Sequence, residues 1–541
     1  MAELPTRLDG LRPMIEELMR IGGTPGLSLE VMSNGTSVYE ASFGARDTEA
    51  SLPVTHETIF PICSLTKALT ASAMAILVDE DKLTWDTLVK DVLPAFNSRD
   101  ETIQNHLTVT DILSHRSGMA WCSNLVIGTE NNILIPGKDG LEYINSQPRL
   151  LPFRTEMSYN NLTYNLAGYV IEEVSGISWF EFVQSRILDP LGLDRTYLKP
   201  PQSGIPDVTQ CYNALDDAST VQIPRPKAGQ DWYSGPSGGA WSCVRDLSKL
   251  YRTFNASVQH QFSTGKSATE GSPFKQVPHL TSAKIPMDQP SRNELSYALG
   301  WGRAQLPNRL GQIGINHSLM PDGMPVVGKG VPSQLVLFHQ GSLPGALAIV
   351  ILLPDTDSMI IVLSNSLALN DVPDWVGQLI LEELLEVPKS ERNDYIKAAH
   401  SSVTENLKWY PALVAELSSA RKTGTSPRAL ESYTGTYRDD IKVFKIVVDL
   451  EDNQLYWRLQ GLDSEKFPLE HYEDDTFTWL LPRNELSRRG RWVGSDQGPA
   501  FWKAIFQSSD GGRVDKLYWA HDTGVPPVEL TKEENNSDCI P

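Results

Sequence analysis

The sequence has few cysteines and no long apolar run, and these two absences narrow the class of protein. Its five cysteines are scattered along the chain: Cys63, Cys122, Cys211, Cys243 and Cys539. Their spacing includes no Cys-x-x-Cys pair, which disfavours both a zinc site and a disulfide framework. The longest apolar run, at 347–353, is far shorter than the ~20 residues that span a bilayer, and it predicts a buried strand.

Basic residues are scarce relative to acidic ones, and the start of the sequence lacks the apolar segment of a secretory signal. Lys and Arg number 47 and Asp and Glu number 67, which gives a formal net charge of −20 at pH 7. Nucleic acids and anionic membranes repel such a surface, so neither is an expected partner. Because 40% of the residues are apolar, the chain can bury a core, and we expect a folded protein of the cytoplasm.

Residues 1–395 carry strand and helix signals in an order typical of an α+β domain. The Asn34-Gly35 pair, between alternating apolar residues, predicts a hairpin near the start. A mainly helical section follows, and strands resume at 296–303. Between them, residues 256–295 are polar with little periodicity, which predicts an insertion or a long surface loop.

The rest of the chain predicts a separate, smaller domain. Residues 396–428 have the pattern of a helix and a linker, because the stretch at 419–429 has linker composition. From 429 to 541, short runs of alternating apolar residues predict an all-β, barrel-like domain. The predicted fold class is therefore α+β followed by a small β domain.

The strongest chemical motif is a Ser-x-x-Lys at the start of an apolar helix. Ser64 and Lys67 are three residues apart, so a helix places both side chains on one face. The N-terminal end of the helix also offers free N–H groups to a developing negative charge. Lys67 can act as a base where burial lowers its pKa well below the usual ~10.4. The pattern indicates a nucleophile, Ser64, and its base.

Other motifs compete for the same role and fit their surroundings less well. Ser237 lies in GPSGG, which matches the G-x-S-x-G of a nucleophile elbow, but no strand precedes it. Lys422-Thr423-Gly424 matches a motif that accompanies Ser-x-x-Lys in other enzymes, but it lies in the linker. Cys63 adjoins Ser64 without an amine at the right helical offset, and we interpret it as a packing residue.

Two further segments have the context of a binding site. Tyr159, Asn160 and Asn161 precede a helix, where a phenol and an amide can face a neighbouring site, although Asn161 is also a candidate helix N-cap. His339 and Gly341 end a strand and alternate onto one face. A glycine there allows a substrate to approach the backbone closely.

Together, Ser64-x-x-Lys67, Tyr159-Asn160-Asn161 and His339-Gln340-Gly341 resemble, in order and spacing, the motifs of the class C β-lactamase and penicillin-binding-protein family of serine hydrolases. Segments such as LTVTDILSHRSGM at 107–119 and SYALGWG at 296–302 are similar to framework segments of that family. The resemblance covers roughly residues 10 to 390. The stretch from 429 onward resembles the lipocalin-like β domain that many members carry.

The resemblance implies a mechanism without metal or organic cofactor. Ser64 would attack an acyl carbonyl, with Lys67 as general base and Tyr159 as its proton partner and donor to the leaving group. The N–H groups of Ser64 and Ser342 would bind the oxyanion. Asn161 would orient the substrate, and the His339–Gly341 strand would form the opposite wall.

Two departures from the family pattern bear on the substrate. His339 replaces the usual lysine, and a neutral histidine binds a substrate carboxylate poorly. Asn160 replaces a small residue, which affects the shape of the pocket. We therefore expect hydrolysis of a small-molecule ester, thioester or amide rather than of a β-lactam. One alternative is an acyltransferase of a biosynthetic, polyketide-type pathway, with an acyl carrier as partner, and a second is a non-catalytic binding protein that kept the fold.

Overall fold

The computed structural model describes residues 3–509 and 512–534, so Cys539 and the last residues of the predicted β domain lie outside the described part. The helices are α1 (Leu4–Asp9), α2 (Arg12–Gly22), α3 (Thr66–Asp79), α4 (Val89–Val92), α5 (Glu101–His106), α6 (Val109–Leu113), α7 (Ser123–Val126), α8 (Gly140–Ser146), α9 (Asn161–Ser175), α10 (Trp179–Val183), α11 (Asp189–Leu191), α12 (Gly235–Gly238), α13 (Val244–Thr264), α14 (Val277–Leu280), α15 (Val372–Leu384), α16 (Tyr395–Ala420) and α17 (Arg483–Arg488).

The strands fall into two groups along the chain. The first group is β1 (Gly26–Ser33), β2 (Thr36–Asp47), β3 (Leu52–Pro53), β4 (Phe60–Pro61), β5 (Cys211–Ala214), β6 (Thr220–Ile223), β7 (Trp241–Ser242), β8 (Ile285–Pro286), β9 (Leu295–Tyr297), β10 (Gly302–Gln305), β11 (Asn308–Arg309), β12 (Val326–Val327), β13 (Leu335–Leu343), β14 (Ala346–Leu353), β15 (Ser358–Ser364) and β16 (Ser366–Leu367). The second group is β17 (Gly435–Arg438), β18 (Lys445–Glu451), β19 (Gln454–Leu459), β20 (Lys466–Glu473), β21 (Thr476–Thr478), β22 (Lys503–Ser508), β23 (Val514–Trp519) and β24 (Val528–Lys532).

A large antiparallel sheet forms the centre of the first domain. Within the described residues its strand order is β3-β2-β1-β15-β14-β13-β10-β9-β8. Both faces of β14 are buried, because its alternate side chains enter two different apolar cores. Ala348, Val350 and Leu352 join one core, and Leu347, Ile349, Ile351 and Leu353 join the other. Each fully buried Val, Leu or Ile side chain among them contributes about 1.5–3 kcal/mol to the stability of the folded protein.

Helix α3 is the centre of the helical part of the domain. It is buried from Thr66 to Leu77, because it is apolar on all sides rather than amphipathic. Helices α9 and α12 pack directly against it and against each other. This packing brings together three segments that are far apart in sequence.

The prediction of an insertion or long surface loop at 256–295 is wrong in part. Helix α13 continues to Thr264, inside the predicted loop, and α14 and β8 lie in the same stretch. Val258, Phe274 and Leu280 are buried against the main core. The exposed polar residues up to Thr264 lie on the outer face of the amphipathic helix α13, and the residues from 265 to 276 form turns and irregular structure between the buried anchors.

The second group of strands closes into a barrel. Strands β17 to β24 pair in chain order, and β17 also pairs with β24, so the sheet has no free edge. The barrel core is rich in tryptophan: Trp457, Trp479, Trp502 and Trp519 are all buried. Helix α16 precedes the barrel and includes the first two residues of the predicted linker at 419–429. In the described part of the chain, no helix has both the length and the apolar character to cross a bilayer.

Candidate active site

Ser64 lies on a tight turn that leads into α3. The turn is a short 3₁₀ helix, Cys63–Leu65, and Cys63 adopts a φ of +50°, a left-handed conformation that is unusual for a side chain other than glycine. Thr66 stabilises the turn, because its hydroxyl donates to the Cys63 carbonyl oxygen at 2.6 Å. A strained backbone held in this way is common where a reactive side chain must be presented.

Lys67 Nζ lies within hydrogen-bonding distance of three oxygen atoms. It donates to Asn161 Oδ1 at 2.7 Å and to the Ser237 carbonyl oxygen at 2.7 Å, and it lies 3.1 Å from Ser64 Oγ. The two carbonyl oxygens can only accept hydrogen bonds. A neutral amine therefore gives both of its hydrogens to them, and its lone pair faces the Ser64 hydroxyl. This is the geometry of a general base and a nucleophile.

The surroundings of Lys67 favour the neutral amine. The side chain is fully buried, and burial lowers the pKa of Lys67 well below its usual value of 10.5. A buried charge without a paired carboxylate is disfavoured, so the proton is held less tightly than in water. The sequence indicated that Lys67 could act as a base only where burial lowers its pKa, and Lys67 is buried in the structure.

Tyr159 covers the other side of the amine. Its ring centroid lies 4.8 Å from Lys67 Nζ. Its hydroxyl is buried and close enough to Ser64 to interact with it, yet it makes no hydrogen bond of ordinary geometry with the described residues. Burial raises the pKa of Tyr159 and Ser64 offsets part of this rise, so the phenol keeps its proton at neutral pH. The three predicted catalytic side chains thus share one cleft.

Helix α9 positions Asn161 at its first turn. Asn160, not Asn161, is the N-cap: its side chain accepts a hydrogen bond from the Leu162 N–H. Asn161 is free to turn its amide oxygen toward Lys67. Its Nδ2 has no hydrogen-bond partner among residues 3–509 and 512–534, and it is available to a substrate carbonyl.

His339 lies in the site region but differs from its predicted position. It is 1% exposed, and it is not among the residues that line the cavity formed with Tyr159 and Ser342. Its Nδ1–H donates to the Gln340 carbonyl oxygen at 2.6 Å, so Nε2 accepts from the Tyr297 hydroxyl at 3.0 Å. Burial lowers the pKa of His339 to about 3. The ring is therefore neutral and acts as a buried support 6.2 Å from the Tyr159 ring.

Gly341 allows a close approach, but to the protein rather than to a substrate. A Cβ at this position would lie 2.6 Å from the Ile62 carbonyl oxygen and 3.0 Å from the Cys63 Cβ. Strand β13 thus packs directly on the turn that carries Ser64. The next residue, Ser342, faces the other way and lines a cavity together with Tyr159. The oxyanion role of the Ser342 N–H stays a prediction.

The competing motifs occupy structural positions. Ser237 is buried in the short helix α12, and its hydroxyl hydrogen-bonds within the same turn, to Ser234 at 3.1 Å. Lys422 is exposed and pairs with Asp474 at 2.9 Å. The Cys63 thiol is buried near two carbonyl oxygens, and burial raises its pKa well above its usual value. None of these three side chains has the surroundings of a nucleophile.

Four groups near the site were missed by sequence reasoning. They are the Ser237 carbonyl oxygen and the rings of His115, Tyr164 and Tyr297. The His115 ring lies tilted against the Tyr159 ring, with centroids 4.3 Å apart, and its Nδ1 accepts a hydrogen bond from the Asn160 N–H at 3.0 Å. Burial lowers the pKa of His115 well below its usual value, so this ring is also neutral. A signal was present, because His115 and Tyr297 lie within the two framework segments at 107–119 and 296–302.

Family models match both parts of the chain. A model described as Beta-lactamase matches residues 11–382. A second model, described as a domain of unknown function (DUF3471), matches residues 419–535. The first match ends in α15 and the second begins in the last residues of α16, so most of α16 lies between the two matches.

Several known proteins are similar in sequence. Unguisins hydrolase ungD of Aspergillus violaceofuscus (strain CBS 115571) is 24% identical over 513 residues, which cover 87% of this chain and 83% of that protein. Penicillin-binding protein 4 of Amycolatopsis lactamdurans is 30% identical over 179 residues, 33% of this chain and 46% of that one. D-aminopeptidase of Gluconobacter oxydans (strain 621H) is 25% identical over 264 residues, 46% of this chain and 48% of that one.

Among solved structures, the octameric penicillin-binding protein homologue from Pyrococcus abyssi has the same fold. The TM-score is 0.57 with 22% identical residues, and the match covers 97% of this chain and 99% of the other. Because the coverage is nearly complete on both sides, the likeness of fold extends over the α+β domain and the barrel together.

Proposed function

The chain belongs to the Beta-lactamase family, and we propose that it is a serine hydrolase that cleaves a small-molecule acyl bond through an acyl-enzyme on Ser64. One observation carries the proposal. Lys67 Nζ lies 3.1 Å from Ser64 Oγ while its other hydrogen-bonding directions are taken by two carbonyl oxygens. A scaffold protein has no physical need for a buried amine directed at a partly exposed hydroxyl.

The proposed reaction has two half-reactions. In the first, Lys67 takes the Ser64 proton, Ser64 Oγ bonds to the acyl carbonyl carbon, and the leaving group departs with a proton delivered through Tyr159. In the second, water attacks the acyl-enzyme, and the bond to Ser64 breaks as Oγ regains its proton. Proton transfer of this kind contributes typically ~10²–10⁴-fold to the rate. Oxyanion binding by the Ser64 and Ser342 N–H groups contributes about 3 kcal/mol for each donor.

The substrate class follows from the charge around the site. His339 is neutral and buried, so the strand that supplies a fixed cation in β-lactamases has none here. An ester, thioester or amide without a carboxylate beside the scissile bond is the better fit. Two relatives are named as a hydrolase of unguisins and as a D-aminopeptidase, which favours water over an alcohol as the acceptor.

Active-site labelling tests the proposal directly. Wild-type protein treated with a fluorophosphonate should carry the label on the peptide that contains Ser64, as found by mass spectrometry. Ser64→Ala should remove the label. Ser237→Ala is the matched control, because its hydroxyl bonds only within its own turn, and it should leave labelling unchanged. A label that follows Ser237, or none on the folded wild-type protein, would contradict the proposal.

Product analysis then separates hydrolysis from transfer. A panel of p-nitrophenyl esters, acyl thioesters including an acyl carrier, and anilides is incubated with and without an added alcohol. We expect free acid as the main product in both cases. Ester formed from the alcohol at the expense of acid would instead identify the acyltransferase of the alternative prediction.

A further inference from the structure

A cavity lined by Tyr159 and Ser342 is built by two domains rather than by one. Ser64 does not line it, and Tyr159, whose hydroxyl interacts with Ser64, connects the cavity to the nucleophile. The volume of the cavity is about 510 Å³, within the range of pockets that bury a drug-sized ligand. One wall comes from the α+β domain and includes Tyr159 and Ser342. The opposite wall comes from the barrel domain: Arg483, Ser487 and residues 492–496. A substrate group that leaves the scissile carbonyl on this side therefore contacts the barrel domain.

The barrel wall is part of a long connection between two adjacent barrel strands. Residues 479–502 link β21 to β22: Trp479 and Trp502 at the two ends belong to the barrel core, and residues between them contact the other domain. We call these residues the β21–β22 excursion. In a barrel with tight turns the two strands would need a few residues between them. A connection of this length that contacts another domain indicates a role beyond joining the strands.

Hydrogen bonds from the α+β domain hold the excursion in place. Asn213 Nδ2 donates to the Ser487 carbonyl oxygen at 3.1 Å, and the Glu130 N–H donates to the Arg489 carbonyl oxygen at 2.8 Å. Further along, Gln497 Nε2 donates to Asn124 Oδ1 at 2.9 Å. Because the excursion is held on both sides of residues 492–496, this part of the cavity wall is preformed rather than assembled on substrate binding.

Apolar side chains from both domains meet in this cavity. Trp492 packs against the sheet core that Leu367 and its neighbours form. Ile313 and Leu319 line the cavity from the loop of the α+β domain before β12. A tryptophan facing aliphatic side chains across a cavity selects ligands by size and apolar surface.

The two charged side chains on the cavity wall already have partners in the protein: Arg483 has an ion pair, and Asp496 has hydrogen bonds from neutral groups. Arg483 Nη1 binds Asp216 Oδ1 at 2.7 Å. Asp496 accepts from Asn124 Nδ2 at 3.1 Å and from Trp492 Nε1 at 3.3 Å. A charged substrate group would have to displace these partners. The wall thus suits a group without charge.

From these observations we propose that the β21–β22 excursion is a specificity-determining part of the active site, in which Trp492 selects an uncharged, mainly apolar substrate group by its size. The inference rests on the proposed function, because it needs Ser64 as the nucleophile. It adds the class of substrate group and gives the barrel domain a direct role in catalysis.

Two variants test the size limit in opposite directions. Trp492→Ala enlarges the cavity from the barrel side. Ser318→Trp narrows it from an exposed position of the α+β domain, where a large side chain is tolerated by the fold. For p-nitrophenyl decanoate against butyrate, we expect the ratio of kcat/KM to rise about tenfold in the first variant and to fall about tenfold in the second. Trp492→Phe should retain most of the wild-type ratio.

A matched control comes from the same domain. Ile505 is 38% exposed on the outer face of the barrel and does not line the cavity, so Ile505→Ala should keep the wild-type ratio. Unchanged ratios in both test variants, with Ser64 still labelled by fluorophosphonate, would overturn the inference alone. Absence of labelling in wild type would overturn the proposed function with it. Should Trp492→Ala fail to fold, Ser318→Trp gives the decisive ratio.

Esters that differ in charge test the claim that the cavity binds an uncharged substrate group. The butyrate ester is compared with the hemisuccinate and the 4-aminobutyrate esters, which add a carboxylate and an ammonium group. We expect both charged esters to react at least about tenfold more slowly in kcat/KM. Preference for the anion would identify Arg483 as an open binding group, preference for the cation would identify Asp496, and either result would overturn the claim of an uncharged subsite.

Discussion

The Ser237 carbonyl oxygen accepts a 2.7 Å hydrogen bond from Lys67 Nζ. The GPSGG turn therefore serves the site through its backbone, although its serine hydroxyl resembles a nucleophile in sequence. Thr70 Oγ1 also donates to the Pro236 carbonyl oxygen at 2.7 Å, which fixes α12 against α3. Because the turn holds one N–H of the amine and Asn161 holds the other, the direction of the Lys67 lone pair depends on a backbone atom that no side-chain substitution can remove.

Replacement of Lys67 by methionine separates its chemical role from its role in stability. Lys67→Met should lower kcat/KM by at least ~10²–10⁴-fold, because the base is lost. The substitution should also change how the free energy of unfolding depends on pH. The folded-state pKa of Lys67 is depressed by burial, so between that pKa and about 10.4 the unfolded chain binds a proton that the folded chain does not.

The sign of this effect is fixed by linkage. In that pH window wild-type stability should rise with pH relative to Lys67→Met, and it should reach its full value above the unfolded-state pKa. Thermal unfolding of both proteins at pH 6, 7, 8 and 9 measures the difference. Parallel curves across the series would mean that Lys67 titrates normally in the folded protein.

The pH dependence of catalysis should be independent of the buried histidine. We expect kcat/KM to fall on the acid side as Lys67 becomes protonated. His339, with a pKa lowered to about 3, stays neutral throughout this range. His339→Asn should therefore change the magnitude of kcat/KM by less than the loss of the base does, and leave the midpoint of the acid limb in place. A limb that moves or disappears in this variant would assign the base to His339.

Gly341 should be needed for the position of the nucleophile. A methyl group there would lie 2.6 Å from the Ile62 carbonyl oxygen, so strand β13 or the Ser64 turn must shift. A shift of about 1 Å in the position of a catalytic group lowers the rate on the order of 10²-fold. We expect Gly341→Ala to lose that much in kcat while the protein remains folded, as circular dichroism and fluorophosphonate labelling rates would show.

Gly238 offers the matched comparison for Gly341. It also adjoins the Ser64 turn, but its Cβ would lie 3.8 Å from the Cys63 carbonyl carbon, an ordinary contact. Gly238→Ala should therefore keep most of the wild-type activity. Equal losses in the two alanine variants would show that the turn is sensitive to any added methyl group rather than to the close approach of β13.

Much of the architecture could be predicted from the sequence. The α+β class with a C-terminal β barrel and the family likeness are confirmed. The local signals were strong, because α3 and β14 are long apolar segments and Asn34-Gly35 has hairpin chemistry. The prediction failed in part at 256–295, where α13 continues beneath a polar surface. The catalytic roles of Ser64, Lys67 and Tyr159 stay predictions, now with a geometry that suits them.

The parts that escaped prediction depend on contacts across long distances in sequence. Asn213 and Ser487 are hydrogen-bonded although 274 positions separate them. Neither residue has a pattern that indicates a partner, and the β21–β22 excursion has the composition of an ordinary loop. The neutral state of His339 was expected from its usual pKa. The position of the His339 side chain behind Tyr159 depends on its hydrogen bond with Tyr297. No strand pattern in the sequence connects His339 with Tyr297.

The buried pair Glu465 and Arg491 should stabilise the barrel end that carries the excursion. The two side chains are 0% and 1% exposed, and their charged atoms lie 3.6 Å apart. Arg491 also lies over the Trp479 ring at 5.0 Å. Burial lowers the pKa of Arg491 to about 10 and raises that of Glu465, so each ion depends on its partner for compensation. Arg491→Met should lower the free energy of unfolding by about 3–5 kcal/mol, because it leaves a buried carboxylate unpaired.

A double variant distinguishes the loss of pairing from the loss of packing. Glu465→Leu combined with Arg491→Met removes both charges, and it should regain most of the stability that Arg491→Met loses, because apolar side chains of similar size fill the same space. The exposed pair Lys516 and Glu529 is the control, and Lys516→Met should have little effect. Urea unfolding monitored by tryptophan fluorescence measures all four proteins. If the double variant is no more stable than Arg491→Met, the arginine acts through its contacts with the aromatic core, and the carboxylate contributes nothing to its placement.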